Sequence, residues 1–266
     1  MGACFLPKRV VRAPQPPRLS RVAWTTVTKM TAYPTPQEAA VVRDAEKLMV
    51  ETMARYDPSH DAYHVQRVRK TALHLARVFS TSISARGRPD LLTVELAALL
   101  HDVLDKKYVS AAEAADPYAF FLPFFTSAAD AHGLDLVRDG RARAITRIVE
   151  NVSWSTETRL READLLDDWH RECVELHCVQ DADRLDAIGA FGILRCAAYS
   201  AVTNRALYVP TDDAAYASCA IEHFHDKLLH IRERLKTEPG KQLAEKRHNL
   251  MLNFLRAVDE EYNLEE

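Results

Sequence analysis

Glycine is scarce in this chain, and its scarcity constrains the fold more than any other feature of the sequence. Only 7 of the 266 residues are glycine, whereas an average protein contains about 7%. Two-residue hairpin turns need residues that adopt positive φ, so an all-β fold with many hairpins is disfavoured. Because 47% of the residues are apolar, the chain can nevertheless bury a large core.

Helical signals begin at Thr35 and continue to the end of the chain. Thr35, Pro36 and Glu38 form a capping box with proline at the first helical position, and Gly133 suits a C-terminal cap. Apolar residues recur at helical spacing over most of the chain, so the predicted fold class is all-α. The polar stretch 155–170 is predicted to be a loop. The predicted helices cover about 36–55, 60–79, a segment opened by Asp90, 111–132, 139–152, 173–201, 213–236 and 239–262.

Residues 1–36 differ from the rest of the chain. No acidic residue precedes Glu38, and half of the 12 prolines lie in this segment. We predict a disordered tail here, followed by one folded domain over 37–266. A basic, acid-free start is also typical of a mitochondrial transit peptide, although prolines interrupt the amphipathic helix that such a signal needs. We expect a cytoplasmic protein, or a mitochondrial one if residues 1–30 act as a transit peptide, and Met30 is an alternative start.

Charge and apolar pattern disfavour several classes of protein. The net charge is -3 and the basic residues cluster only in the N-terminal tail, so no nucleic-acid partner is expected. No apolar run reaches about 18 residues, so no membrane span is predicted. The 5 cysteines include no CxxC pair, which favours reduced thiols over a disulfide framework. The oligomeric state stays open.

Three His-Asp dipeptides occur in the sequence, although its composition predicts about one by chance. One of them, His101-Asp102, ends the apolar segment ELAALLHDVLDKK. Buried polar side chains are costly unless a partner satisfies them, and a metal ion would do so. Asp105 and Lys106 follow one helical turn later, on the face of Asp102. The alternative for this dipeptide is helix capping with a surface ion pair.

Two further polar runs are candidates for the same site. His64 and Arg67 lie one helical turn apart, and His60 lies one turn before His64; an imidazole beside a guanidinium suits a metal and a phosphate. The run Asp181–Asp186 leads into an apolar helix of small residues. The alternatives are a solvated helix face for the first run and acids that interact with a helix dipole for the second.

The order of His64, His101-Asp102 and Asp183 is similar to the H…HD…D pattern of HD-domain metal-dependent phosphohydrolases. The surrounding segments resemble one subgroup, whose bacterial members include hydrolases that cleave nucleoside triphosphates to the monophosphate and pyrophosphate. The resemblance covers about residues 37–262, and the stretch 155–172 looks longer than is usual in the subgroup. The matching segments are SHDAYHVQRV, LLHDVLDKK, VQDADRLDAIGAFGI, IEHFHDKLL and LAEKRHNLML.

The resemblance implies an all-α HD fold with one divalent ion at its centre. The implied ligands are His64, His101, Asp102 and Asp183, with Asp181 as the alternative for the last of them. Two imidazoles and two carboxylates would leave two positions of an octahedral ion open. Such a donor set suits Mn²⁺, Mg²⁺ or Fe²⁺ better than a closed zinc site.

Other polar residues of these motifs receive predicted roles at the same site. Asp105 is predicted to orient or deprotonate the attacking water. His225-Asp226 is predicted to lie on the surface, and a solvated helix face is the alternative for His223 and Lys227. The residues predicted to contact phosphate or to support the metal ligands are His60, Arg67, Lys106, Arg184, His223 and Lys227.

The implied function is metal-dependent hydrolysis of a small phosphate ester. The foremost reaction is conversion of a (d)NTP to the (d)NMP and pyrophosphate. A 5′-nucleotide phosphomonoesterase is the alternative within the same class. A non-catalytic HD module that binds a nucleotide or a partner is the alternative of another class.

Overall fold

The computed structural model of the chain describes residues 32–81, 87–104, 109–110 and 115–263. Within these ranges the secondary structure consists of α-helices and short 3₁₀ segments without β-strands, which confirms the all-α prediction. The 3₁₀ segments are Tyr216–Ser218 and Leu228–Arg234. The α-helices are α1 (Pro36–Met53), α2 (Ala62–Thr81), α3 (Leu91–Leu100), α4 (Pro117–His132), α5 (Arg141–Asn151), α6 (Trp154–Glu162), α7 (Asp168–Glu172), α8 (Val174–Asp186), α9 (Gly189–Val202), α10 (Ala220–Asp226) and α11 (Glu238–Tyr262).

The helix ends that the sequence predicted are set by local hydrogen bonds. The capping box at Thr35 is present, with its side chain accepting from the Glu38 amide. Asp90 caps α3 by accepting from the Thr93 amide, at 2.9 Å. Gly133 ends α4 in the left-handed conformation, at φ 67°. These ends depend on neighbours in sequence, which is why the sequence predicts them.

Three predicted elements are wrong, and two of them lie between residues 153 and 202. The stretch predicted as a loop contains α6 and α7, whose N-caps Ser153 and Asp167 accept from the amides of Thr156 and His170. The long helix predicted over 173–201 is broken into α8 and α9, which are bent by 67°. Gly189 begins α9 at φ 77°, and a Cβ built there would lie 2.9 Å from the Arg247 side chain of α11.

The segment predicted as a helix over 213–236 is divided into shorter pieces. Only α10 is α-helical there, and 3₁₀ segments precede and follow it. The final helix, α11, matches its predicted range closely and is capped by Thr237, whose hydroxyl accepts from the Gly240 amide.

Helix α3 lies at the centre of the described core. Nine of its ten residues are buried, and it packs against α1, α2, α5 and α8. Helix α2 also packs along α8. The N-terminal part of α2, the C-terminal end of α3 and the C-terminal half of α8 therefore meet at one place, where the polar motifs of the sequence lie.

Some predictions fall on residues outside the described ranges. These are the transit-peptide prediction for residues 1–30, the predicted tail as far as residue 31, and the roles of Asp105 and Lys106. The last part of the predicted tail, residues 32–36, is described, and there the Tyr33 hydroxyl donates to Glu95 of α3. No helix in the described part is by itself long and apolar enough to cross a membrane, although α8 and α9 meet the length and composition criteria as a bent pair.

Candidate metal centre

Four side chains from three helical segments converge at the meeting point of α2, α3 and α8. One ligand atom each from His64, His101 and Asp102 lies within 4.8 Å of the others. The Asp183 Oδ1 atom lies 3.6 Å from Nε2 of His64 and 3.8 Å from Nε2 of His101. The structure thus brings together the four residues that the resemblance implies as ligands, although they are far apart in sequence.

The two imidazoles are held so that one nitrogen of each faces this cluster. Nδ1 of His64 lies 2.7 Å from an Asp186 carboxylate oxygen, and Nδ1 of His101 lies 2.8 Å from the Ala98 carbonyl oxygen. Both oxygens are acceptors, so Nδ1 carries the hydrogen in each ring and Nε2 has its lone pair toward the cluster. Both Nε2 atoms are buried without a hydrogen-bond partner in the described structure. Buried polar atoms of this kind fit a divalent ion as the missing partner.

The local charges keep the carboxylate of Asp102 ionised. Burial by itself would raise the pKa of Asp102, but the neighbouring imidazoles of His101 and His64 lower it well below its ordinary value. Conversely, burial opposes protonation of His64, yet the nearby carboxylates of Asp102 and Asp186 raise the pKa of that imidazole. A metal ion and a proton would therefore compete for the same nitrogen, Nε2 of His64.

Asp181 and Asp183 were both candidates for the last ligand, and they face different surroundings. Asp181 is fully buried. Its Oδ2 accepts from the amide and the hydroxyl of Thr237, both at 2.7 Å, and Oδ1 accepts from the Lys236 amide at 2.9 Å. The Asp183 side chain is 25% exposed and lies beside the two imidazoles. The geometry favours Asp183 as the ligand and assigns Asp181 to anchoring α11.

Substitution of the two aspartates is expected to separate these roles. Asp183→Ala should lose metal with little change in stability, because its carboxylate is partly exposed. Asp181→Ala should keep its metal but lose about 1–3 kcal/mol of stability, because the amides and hydroxyl at Lys236 and Thr237 lose their acceptor. Metal content after dialysis and urea unfolding measure the two effects. Metal loss in the Asp181 variant with normal stability would reverse the assignment.

Asp186 is a residue of the site that the sequence analysis missed. Besides His64, its carboxylate accepts from Arg67 at 2.8 and 3.0 Å, and Arg195 Nη1 lies 3.3 Å away. Burial would raise the pKa of Asp186, but the hydrogen bonds from His64 and Arg67 lower it below its ordinary value. Its spacing in the sequence could have identified it, since Asp186 lies one helical turn after Asp183.

Asp186→Asn is expected to weaken metal binding about 10- to 100-fold, because the amide no longer supplies the charge that fixes the His64 ring. Isothermal titration of the metal-free protein with Mn²⁺ measures the affinity. Asp44→Asn is the matched control, since Asp44 pairs with His132 on the surface. Equal Mn²⁺ affinities of the Asp186 variant and the wild type would contradict a positioning role.

A cavity of about 330 Å³ lies next to the cluster. His60 belongs to its wall, and the His60 ring meets the His64 ring edge-on, with centroids 6.2 Å apart. Three residues predicted to contact phosphate, His60, His223 and Lys227, line this one cavity together with Arg195 and Arg205, which the sequence analysis did not identify. These residues line one cavity because parts of α9 and α10 lie near residues 59 and 60, which precede α2.

Arg67 and Arg184 were also predicted to support the site, and only one of them lies there. Arg67 binds Asp186 and stacks on Phe191 at 4.2 Å. Arg184 is buried away from the cluster, where it pairs with Glu157 and donates to the Arg234 carbonyl at 2.9 Å. Successive side chains on an α-helix point about 100° apart, so Arg184 faces α6 while Asp183 faces the imidazoles. His225 and Asp226 are exposed, in agreement with the prediction.

No protein-family model matches the chain. YpgQ of Bacillus subtilis is 32% identical over 207 residues, which cover 76% of this chain and 84% of YpgQ. The crystal structure of YpgQ in complex with ADP is similar with a TM-score of 0.59 at 25% identity, over 85% of this chain and 96% of that chain. An HD-superfamily hydrolase from Bacillus thuringiensis is similar with a TM-score of 0.59 at 26% identity, over 86% of this chain and 100% of that chain.

The sequence relationship extends over most of both proteins, and the structural similarity covers more than four fifths of this chain. The chain therefore belongs to the family of YpgQ and has the fold of the HD-superfamily hydrolases.

Proposed function

We propose that this chain is a divalent-metal-dependent phosphohydrolase that converts a (d)NTP to the (d)NMP and pyrophosphate. The observation that carries the proposal is the pair of buried Nε2 atoms of His64 and His101, which have no hydrogen-bond partner among the described residues and face the carboxylates of Asp102 and Asp183. The crystal structure of YpgQ with ADP supports a nucleotide as the ligand. The basic cavity beside the cluster supports a phosphorylated substrate.

His64, His101, Asp102 and Asp183 would hold the ion. Two imidazoles and two carboxylates suit Mn²⁺, Mg²⁺ or Fe²⁺. When bound, such an ion lowers the pKa of water and offsets negative charge on phosphoryl oxygens.

The residues of the chain contribute orientation, charge and proton transfer. Asp186 fixes the His64 ring, and Arg195 connects Asp186 with the cavity. Asp105, which lies outside the described residues, remains our proposal for the group that orients or deprotonates the attacking water. In the proposed reaction a water oxygen bonds to the α-phosphorus while the bond from that phosphorus to the bridging oxygen breaks. Pyrophosphate leaves with that oxygen, and the proton of the water passes to the base.

The test is hydrolysis of a nucleotide panel with Mn²⁺, Mg²⁺ or EDTA, in which phosphate and pyrophosphate are measured separately. Pyrophosphate released from triphosphates, and lost in EDTA, is the expected result. Phosphate released from monophosphates would instead indicate a 5′-nucleotide phosphomonoesterase. Nucleotide binding without turnover in any metal would indicate a non-catalytic HD module.

A further inference from the structure

The cavity beside the four converging side chains has a strongly cationic wall. Arg195, Arg205 and Lys227 line it, and the imidazoles of His60 and His223 add groups that can become charged. Among the described residues that form the wall, none carries a carboxylate. Oxyanions of phosphate form their strongest hydrogen bonds with such cationic donors.

Two of these cations lie close enough to the His223 imidazole to affect its pKa. Burial lowers the pKa of His223, the positive charges of Lys227 and Arg205 lower it further, and the carboxylate of Asp226 opposes them. These two cations come from different segments, the stretch after α9 and the end of α10, and both act on one imidazole. A bound anion would be attracted to these positive charges, whereas an uncharged ligand would not.

Two contacts connect the cavity with the metal cluster. The His60 ring lies against His64, with centroids 6.2 Å apart. Arg195, whose side chain is 14% exposed, donates to the Ser59 carbonyl at 2.7 Å and lies 3.3 Å from Asp186. The cationic wall therefore adjoins the four converging side chains through His60 and Arg195.

We propose that this cavity is a diphosphate subsite, which holds the β- and γ-phosphates of a nucleoside triphosphate and then the pyrophosphate product. The assignment rests on the proposed function and adds the direction in which the substrate lies. The α-phosphate is at the metal cluster, the diphosphate is in the cavity, and the nucleoside lies on the other side. A phosphate chain in the cavity would accept charge-assisted hydrogen bonds from these side chains, whereas an uncharged nucleoside would not.

The experiment is isothermal titration of the full-length protein with inorganic pyrophosphate, in buffer with and without EDTA. Pyrophosphate binding is expected to persist in EDTA, because protein groups provide the cations. Arg205→Ala and Lys227→Gln should each weaken it about tenfold or more, as expected for loss of a charge-assisted hydrogen bond. Arg256→Ala, which removes an exposed arginine of α11, is the matched control and should bind pyrophosphate normally. Thermal melts establish that each variant is folded.

Titrations with inorganic phosphate and with adenosine complete the test. A diphosphate subsite should bind pyrophosphate at least about tenfold more tightly than phosphate, since it offers donors to two phosphoryl groups. The assignment is overturned if wild-type protein does not bind pyrophosphate, if folded Arg205 and Lys227 variants bind it normally, or if these variants lose affinity for adenosine instead.

Hydrolysis of the nucleotide panel distinguishes failure of the subsite proposal from failure of the proposed function. Release of pyrophosphate from triphosphates, together with unchanged pyrophosphate affinity in both variants, would disprove the subsite and leave the proposed function intact. Pyrophosphate binding that depends on Arg205 and Lys227, without hydrolysis of any nucleotide, would disprove the function and leave an oligophosphate-binding cavity.

Discussion

His101→Ala and Asp102→Ala are each expected to abolish metal binding and hydrolysis while the helical fold is retained. Both residues provide atoms of the cluster, so the loss should exceed the about 10- to 100-fold that follows removal of an outer partner. The apolar side chains that hold α3 in the core remain in both variants. The Asp102 substitution also removes a carboxylate whose ionised form is disfavoured by burial.

Metal content after dialysis, nucleotide turnover and circular dichroism check this prediction. His225→Ala is the matched control, because it removes the histidine of another His-Asp dipeptide that is exposed. It should retain metal and activity. Full metal content and turnover in the His101→Ala or the Asp102→Ala variant would show that the metal site is elsewhere.

Glu157→Ala is expected to reduce the stability of the protein by about 3–5 kcal/mol, because it leaves buried cations without their counter-ion. Glu157 is 3% exposed and pairs with Arg184, which is 2% exposed. Lys236 Nζ lies 3.0 Å from the same carboxylate and Arg234 Nη2 lies 3.6 Å from it. Glu157 therefore joins α6 to α8 and to the segment before α11.

Urea unfolding measures the effect, with Glu162→Ala at an exposed position of the same helix as the control. Burial would raise the pKa of Glu157, but Arg184 and Lys236 lower it from 4.5 to about 2. Its stabilising contribution is therefore complete above pH 4.5 and is lost as the pH falls toward about 2. Glu157→Gln should lack this part of the acid dependence. A change in unfolding free energy below about 1 kcal/mol for Glu157→Ala would contradict the prediction.

The sequence predicted the elements whose limits depend on local hydrogen bonds. Thr35, Asp90 and Gly133 mark helix ends through contacts within four residues, and these ends are where the sequence placed them. The prediction failed where an element is stabilised by residues that are distant in sequence. Helix α6 is polar in sequence, and its buried residue is Glu157, held by cations from later segments.

The break between α8 and α9 has a similar origin. Apolar spacing continues through Ala187 and Ile188, so the sequence predicts one helix. The close approach of Arg247 from α11 at Gly189, and the positive φ of that glycine, are consequences of packing. Local propensity does not contain this information.

By itself the sequence determined the helical class, the cap positions and the residue types that a metal-phosphate site needs. Only the tertiary structure placed Asp183 beside the imidazoles and Asp181 against Thr237, moved Arg184 away from them and brought Asp186 and Arg195 close to them. The physical reason is that residues of one helix share composition and spacing but face different neighbours. Which face of α8 meets the imidazoles, and which meets α6 and α11, is set by the packing of helices that are distant in sequence.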